Sequence, residues 1–329
     1  MKKFFFLITL FTVYLYSQNP NLGTSGAQFL QIPVGARASA MGSAAVGLAD
    51  DASSVFWNPA GIVNIKSVEA HFSYMKWFTL FDFNAASLAY NIEDAGVLAA
   101  SLIVFSTDEM EITTEESPNG TGRYFDAQDI ALGISFARYL TDRFSVGLTV
   151  KYISQNIWNE IADGVAFDIG TQYRLDFQNL IIAMSMQNFG ADLKFDGPDL
   201  NVNYEHGSNY PLSRITPAKL QTEGYSLPLN FQVGIGFDIY NADFIKIKGA
   251  LDAVHPNDND ERLNFGTEFS FFDRIFLRGG YKFNYDDEDF TFGAGANIPF
   301  AGTLISFDYA YSVYDILPSV HRVSLGIKF

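Results

Sequence analysis

The chain lacks several residue types and motifs that would assign a common class of function. Cysteine is absent from all 329 residues, which excludes disulfides, thiolate metal ligands and cysteine nucleophiles. Lys and Arg number 21 against 37 Asp and Glu, a net charge of −16, so we expect no nucleic-acid partner. The histidines, His71, His206, His255 and His321, are far apart in sequence, and no metal-binding or catalytic motif accompanies them. We therefore predict a non-enzymatic protein without metal or cofactor.

Long apolar runs are also missing after the first residues. No segment beyond residue 18 reaches the roughly 18 apolar residues that indicate a membrane-spanning helix. Residues 1–18 place Lys2 and Lys3 before an apolar stretch that is too short to span a membrane. This pattern is typical of a cleaved secretory signal. The alternative is an N-terminal anchor, which the length and the flanking residues disfavour.

The chain is rich in aromatic residues and in segments where apolar residues alternate with small or polar ones. There are 32 Phe and 17 Tyr, and residues 67–329 alternate between apolar and small or polar side chains. In one segment Ile130, Leu132, Ile134 and Phe136 occupy one face. A soluble sandwich also alternates, but many segments here exceed the usual five or six residues and match the roughly 9–11 residues of a tilted membrane strand. We predict an all-β fold, a transmembrane antiparallel β-barrel of about fourteen strands.

The connections between the alternating segments differ in length by parity. The segments are 68–74, 80–92, 97–105, 124–140, 144–158, 165–174, 180–189, 229–240, 244–255, 262–272, 274–284, 288–298, 303–313 and 320–329. Connections after even segments are short, and those after odd segments, the first excepted, are mostly longer. Outer-membrane barrels have short periplasmic turns and long outer loops. The parity, with a last strand ending at Phe329, predicts an outer-membrane location in contact with lipid and both termini in the periplasm.

The segment before the strands has a different composition. Residues 28–62 are rich in Ala, Gly and Ser, residues 36–48 are compatible with a short helix, and Asn58-Pro59-Ala60-Gly61 is a turn sequence. Because small residues suit the packed interior of a barrel, we predict that residues 19–66 form an N-terminal plug inside it. The alternative is a periplasmic cap that covers one end of the barrel.

Three short motifs in this segment carry a family resemblance. Residues 36–42 (ARASAMG), 49–52 (ADDA) and 57–61 (WNPAG) resemble the N-terminal signature of the PorV/PorQ family, which is itself similar to the FadL group of outer-membrane transporters. The resemblance covers residues 28–62 and implies a FadL-like barrel of fourteen strands with an N-terminal plug. It identifies the plug and lumen residues as Arg37, Met41, Asp50, Asp51, Trp57, Asn58, Pro59 and Gly61.

The resemblance implies two alternative functions. PorV-like members serve type IX secretion and accept proteins that have crossed the outer membrane. The expected partners are then secreted proteins with a C-terminal sorting domain, or other secretion components. FadL-like members pass hydrophobic small molecules, which would be the ligands under the second alternative.

Charged residues in the strands and loops give further candidates. Six alternate with apolar neighbours and are predicted to face the lumen, where they either tune a pore or pair within a polar interior: Lys151, Asp168, Arg174, Glu268, Arg278 and Lys282. Residues 190–228, rich in Pro and Tyr, are a candidate partner-binding loop or lid. The acidic runs 258–261 and 286–289 are interpreted as solvated loops, since they lack the spacing of a calcium loop.

Overall fold

The computed structural model describes residues 21–78, 80–205 and 215–329. Within those ranges, fourteen strands form one closed antiparallel barrel in which each strand pairs with its neighbours in sequence. The first and last strands close the barrel, with Glu69 opposite Lys328 and Met75 opposite Arg322. The predicted fold class is therefore confirmed. The predicted signal, residues 1–18, lies outside the described residues.

The barrel strands follow the predicted segments to within a few residues at most ends. Their bounds are β1 Val68–Trp77, β2 Phe81–Asn91, β3 Val97–Thr107, β4 Ala127–Thr141, β5 Phe144–Ile157, β6 Glu160–Arg174, β7 Ile181–Gly190, β8 Asn230–Asn241, β9 Ile245–Pro256, β10 Arg262–Phe271, β11 Ile275–Phe283, β12 Glu288–Phe300, β13 Thr303–Tyr314 and β14 Val320–Lys328.

Alternation along the strands separates two surfaces. Large apolar side chains project outward and remain exposed, as Ile134 at 65% and Leu88 at 54% illustrate. The inward positions carry small or polar residues that are buried, among them Ser87, Ser135 and Thr149. A continuous exposed apolar surface with a polar interior is the pattern of a barrel that spans a lipid bilayer. Across the described ranges, no helix is both long and apolar enough to cross a membrane.

The two ends of the barrel differ, and we name them by their connections. At the short-turn end β1 begins and β14 finishes, and the amide of Phe329 donates to the carbonyl of Val68 at 3.0 Å. At the long-loop end, two connections contain small hairpins, Met110–Glu111 with Tyr124–Phe125 and Asn201–Glu205 with Ile215–Lys219. The second hairpin lies within residues 190–228, the candidate partner-binding loop or lid.

Residues 21–66 precede the first strand and contact inward-facing residues of the barrel wall, and we call them the plug. Its elements are helix α1, Ala36–Ala40, and short 3-10 helices at Gln28–Gln31, Ala52–Phe56 and Pro59–Asn64. The helix expected over residues 36–48 is wrong in extent. It ends after one turn because Gly42 and Ser43 adopt positive φ angles of 64° and 63°, and the Ser43 amide closes the turn onto the Ala38 carbonyl at 3.0 Å.

The plug enters the lumen from the long-loop end. The amide of Gly23 donates to the carbonyl of Asp258 at 3.1 Å, and Ser25 pairs with Ser226; both partners belong to long-loop connections. The chain then runs through the lumen and reaches β1 at the short-turn end. The expectation that both termini share one side is therefore corrected for the described leader, because strand parity fixes only the positions of Val68 and Phe329.

Candidate functional site: the plugged lumen

The turn at Asn58-Pro59 lies directly against the barrel wall. An ideal Cβ at Gly170 of β6 would lie 2.0 Å from Asn58 Oδ1, and one at Gly147 of β5 would lie 2.3 Å from the Pro59 carbonyl carbon. Asn58 is fully buried, and its Oδ1 accepts the Ala60 amide at 3.1 Å, which caps the 3-10 helix that follows. Only glycine permits this approach, since a Cβ at either wall position would overlap the plug.

A second close approach holds the end of helix α1. An ideal Cβ at Gly266 of β10 would lie 2.5 Å from the Met41 carbonyl oxygen, and one at Gly280 of β11 would lie 1.9 Å from the Gly42 nitrogen. The Gly42 amide donates to Thr291 Oγ1 at 2.9 Å. We call these four wall positions, Gly147, Gly170, Gly266 and Gly280, the glycine contacts.

Polar side chains of the wall pair with the backbone of the plug. Asp252 Oδ2 accepts the amides of Ala45 and Val46 at 2.8 and 3.0 Å. Further wall groups that bond the plug backbone are Ser87 with Ala52, Gln172 with Ala49, Gln187 with Phe56 and Trp57, and Ser324 with Ala36. Because an irregular buried segment cannot satisfy its own backbone groups, these side chains replace the hydrogen bonds that water would otherwise supply.

Arg37 of the plug joins a group of carboxylates on the plug and the wall. Its guanidinium lies 2.5 Å from Asp50, 3.4 Å from Asp51 and 3.2 Å from Glu268. Glu268 also pairs with Arg278 at 2.7 Å, and Arg278 with Asp308 at 2.6 Å. We call Arg37, Asp50, Asp51, Glu268, Arg278 and Asp308 the arginine–carboxylate cluster.

The charges of this cluster shift the pKa values of two of its plug residues, Arg37 and Asp51. Burial would lower the pKa of Arg37, but Asp50, Glu268 and Asp51 outweigh burial and raise that pKa well above its ordinary value. Burial would likewise raise the pKa of Asp51, yet Arg37, the largest favourable influence, holds it well below its usual range. Both groups are therefore charged at neutral pH, and the ion pairs persist there.

The remaining predicted residues occupy varied positions. Met41 and Trp57 are buried, and Trp57 Nε1 donates to the Val34 carbonyl at 2.9 Å. Pro59 and Gly61 are buried in the last 3-10 helix of the plug. Lys151 pairs with Asp168 at 2.9 Å, and Lys282 with Glu288 at 2.6 Å. Arg174 lies at the short-turn end of the lumen, where it lines the cavity beside Asp50 and donates to Asn64 of the plug at 3.1 Å.

Asp252, Ser87, Gln172, Gln187, Ser324 and the glycine contacts were not singled out from the sequence. Their only sequence signal is parity, because each is a small or polar residue at an inward position of its strand.

Cavities lie on both sides of the plug. One of about 430 Å³, the outer cavity, opens at the long-loop end and is lined by Phe29 and Trp57 of the plug and by Trp77, Arg262 and Lys282 of the wall, among others. Another of about 390 Å³ lies at the short-turn end, beside Asp50 and Glu268. The plug therefore lies between these two cavities.

The acidic loop residues bind parts of the chain. Asp258 accepts from Gln28 at 2.7 Å and also from Ser25, and Asp287 accepts the amides of Ile316 and Leu317 at 2.8 and 3.3 Å. In the part of the chain that the structure describes, no group of three or more His, Asp or Glu is arranged to hold a metal ion.

Comparison with known proteins gives one family and one fold. The model of the family described as type IX secretion system protein PorV matches residues 16–255. Comparison with curated protein sequences gives no match. The fold resembles the Ralstonia pickettii toluene transporter TbuX, with 13% identity, a TM-score of 0.54 and coverage of 89% of this chain and 97% of that one.

Two further solved structures resemble this chain to a similar degree. The CymD monoaromatic hydrocarbon channel has 14% identity, a TM-score of 0.55 and coverage of 91% and 98% of the two chains. A Pseudomonas aeruginosa FadL homologue has 11% identity, a TM-score of 0.51 and coverage of 88% and 96%. At these identities the likeness shows a shared fold, a FadL-like outer-membrane barrel.

Proposed function

This chain belongs to the PorV family of type IX secretion system proteins, and we propose that it is an outer-membrane barrel that takes part in type IX protein secretion. In this proposal it is a binding component whose plug remains in the lumen, and secreted proteins do not pass through it. The family and the fold are of non-enzymatic kinds, and we propose no catalytic role. The match to the PorV family carries the proposal.

The plugged lumen supports a binding role over a conduit role. Wall glycines contact the plug at distances that exclude a Cβ. Wall side chains also form hydrogen bonds with the backbone groups of the plug. A protein segment can pass only if all of these contacts are broken. We therefore place partner binding at the long-loop end, where the hairpin Asn201–Glu205 with Ile215–Lys219 and the outer cavity are accessible.

We propose that residues 1–18 are a cleaved signal and that the long-loop end faces outward, as in outer-membrane barrels generally. Since the chain has no cysteine, single-cysteine variants label without background. Asn203→Cys and Asn21→Cys should react with a membrane-impermeant maleimide on whole cells, and Asp142→Cys only after permeabilisation. Labelling of Asp142→Cys on intact cells, with protection of Asn203→Cys, contradicts the orientation.

Deletion of the chain in its own cell tests the proposed function. Export of proteins with a C-terminal sorting domain should fall, and those proteins should accumulate behind the outer membrane. A tagged copy should restore export and co-purify with a sorting-domain protein or a secretion component. Unchanged export of every sorting-domain protein after deletion contradicts the proposal.

A second candidate function, uptake of hydrophobic small molecules, is favoured by one observation. The outer cavity has an aromatic wall containing Phe29, Trp57, Trp77 and Phe105, in a fold shared with a toluene transporter. Under this alternative the plug must move to open a path. Slower accumulation of a radiolabelled hydrocarbon after deletion, with export unchanged, would favour uptake over secretion.

A further inference from the structure

The pairing of β1 with β14, which we call the seam, differs from the other strand pairs of the barrel. Every other pair joins strands that are consecutive along the chain, whereas Ser73 and Ser324, which lie opposite each other in the seam, are 251 residues apart. The seam has seven register pairs, half of the fourteen between β4 and β5. No connecting turn sets its register, so the register must be set by other contacts.

The inner face of the seam carries polar side chains. Glu69 pairs with Lys328 at 3.3 Å, and Ser324 Oγ donates to Ser73 Oγ at 3.3 Å. His71 is buried, and its Nε2 has no hydrogen-bond partner among the described residues. A shift of the seam by two residues keeps every side chain on its face but separates both polar pairs. The alternation of apolar and polar residues therefore does not select the native register.

The plug reaches both strands of the seam. The Ala36 amide at the start of α1 donates to Ser324 Oγ of β14 at 2.8 Å. Beside it, the Gly35 backbone lies against the His71 ring of β1, where an ideal Cβ on Gly35 would be 3.4 Å from Nε2. A chain of hydrogen bonds thus runs from the plug through Ser324 to Ser73, and the plug bonds one particular residue of β14.

Charge provides a second link between the plug and β14. Burial raises the pKa of Asp51, but Arg37, Lys328 and His71 together hold it well below its usual range. Lys328 belongs to β14, so this plug carboxylate attracts the same strand that the Ala36 amide binds.

The plug is also bonded to the strands at the start of the barrel. Ser87 Oγ of β2 donates to the Ala52 carbonyl at 2.6 Å, and Asn91 Nδ2 donates to the Ile65 carbonyl at 2.8 Å. These bonds join the plug to the hairpin that directly follows it in sequence. Because closing a short loop costs less entropy than joining distant chain segments, we expect these bonds to form before β14 pairs with β1.

We propose that the plug is the template on which the barrel closes. It packs first against β1 and β2, and the Ala36 amide then binds Ser324, which aligns β14 with β1 in the native register. This assembly role is separate from the proposed part in secretion. It accounts for the bonds that the plug makes at the one strand pair that no turn connects. Without the bond to Ser324, β14 closes more slowly and also in shifted registers.

Cross-linking of the seam from its lipid-facing side tests the proposal in the full chain. Tyr74 and Val323 lie opposite each other and are 45% and 36% exposed, and the chain has no cysteine. Tyr74→Cys with Val323→Cys therefore reports the native register, and Tyr74→Cys with Leu325→Cys reports a shift of two residues. Urea-unfolded protein is diluted into dilauroyl phosphatidylcholine vesicles, samples are oxidised at intervals, and closed barrels are counted on unheated gels.

Two variants remove the plug bond from opposite sides. Ser324→Ala removes the acceptor, and native cross-linking should become about fivefold slower, the effect of one hydrogen bond made before the slow step. The shifted cross-link should then appear. Ala36→Pro removes the donor at the first helical position, which suits proline. It should have the same effect, with no further slowing in the double variant.

Two other serine variants are the matched controls. Ser73→Ala loses only the bond between the two strands and keeps the plug bond, so it should slow closure less than Ser324→Ala. Ser185 is buried on β7, and its Oγ has no partner in the described ranges, so Ser185→Ala should not slow closure.

Rates separate a template from a contact that only stabilises the finished barrel. If the plug bond forms before closure, Ser324→Ala slows closure and leaves the unfolding rate in urea nearly unchanged. Closure of Ser324→Ala at the parent rate with only the native cross-link overturns the proposal, whether or not unfolding becomes faster. Slowing by Ser73→Ala as large as that by Ser324→Ala also overturns it, because the plug bond would then add nothing to the seam.

Discussion

Two regions of the lumen hold the plug by different means. At the glycine contacts the plug touches the wall so closely that an added Cβ would lie 2.0 Å from Asn58 at Gly170 and 1.9 Å from Gly42 at Gly280. At the arginine–carboxylate cluster, Arg37 is 22% exposed and Asp50 40% exposed in their side chains, and charge is shared among several partners.

The difference shows which contacts tolerate change. The glycine contacts depend on shape, and a closely packed interface has no room for additional atoms. The cluster depends on charge, and Glu268 keeps Arg278 as a partner if Arg37 is lost. We therefore expect single substitutions at the glycine contacts to displace the plug and single substitutions in the cluster only to loosen it.

One reporter measures both effects. Ser39→Cys is nearly isosteric, Ser39 is 1% exposed, and its Oγ has no hydrogen-bond partner within the described part of the chain. Its rate of maleimide labelling in the folded barrel therefore reports how often the plug leaves its position.

The largest effect is expected from Gly170→Val. Its side chain would overlap Asn58 and Pro59, and overpacking of this kind costs typically about 1–3 kcal/mol or more. Ser39→Cys should label much faster in this background. Gly279→Val is the matched control, because no described atom lies within 4 Å of an ideal Cβ there; equal labelling in the two variants would show that the glycine contacts do not hold the plug.

Asp252→Ala should have the next largest effect. It leaves the amides of Ala45 and Val46 buried without an acceptor, at a cost of about 2 kcal/mol. Asp252→Asn retains one acceptor oxygen, so its labelling rate should lie between those of the parent and Asp252→Ala. Labelling of the alanine variant at the parent rate would exclude a role of Asp252 in holding the plug.

Arg37→Gln should loosen the plug by about 1 kcal/mol, because the partly solvated members of the cluster gain little from pairing. The expected labelling rate is a few-fold above the parent rate and below that of Asp252→Ala. A rate above that of Gly170→Val would reverse the ranking of the two regions and make charge the main constraint.

The smallest effect is expected from Asp50→Asn. The Asp50 side chain is 40% exposed, and exposed pairs contribute only a few tenths of a kcal/mol. Labelling should rise by less than about twofold in low salt and should equal the parent in high salt, where exposed pairs are screened. A large, salt-independent rise would indicate that Asp50 acts by packing.

The sequence was most informative about the barrel. Each run of alternating apolar and small or polar residues, such as Ile130 to Phe136, marks one membrane strand with its apolar face toward lipid. Counting these runs therefore predicted the number of strands. The path of the leader was not, because hydrogen bonds from Gly23 and Gln28 to Asp258 join residues distant in sequence. Strand parity carries no information about a segment that runs inside the barrel.

The plug site was predictable in part. Motif resemblance identified Arg37, Asp50, Asp51 and Asn58, which the structure places in the plug and its cluster. It did not identify Gly170 or Asp252, because an inward glycine or aspartate looks the same in sequence whether it touches the plug or faces water. Which wall atom meets which plug atom depends on the three-dimensional register between them.

Locking the plug to the wall tests most directly whether the chain works with its plug in place. Ala40 and Ala310 are fully buried in one cluster, and we expect Ala40→Cys with Ala310→Cys to form a disulfide on oxidation, which the loss of free thiols would report. Oxidised cells carrying this pair should export sorting-domain proteins as well as the single-cysteine controls do. Export that stops on oxidation and returns on reduction would contradict the account, since it would mean that the plug must leave the lumen.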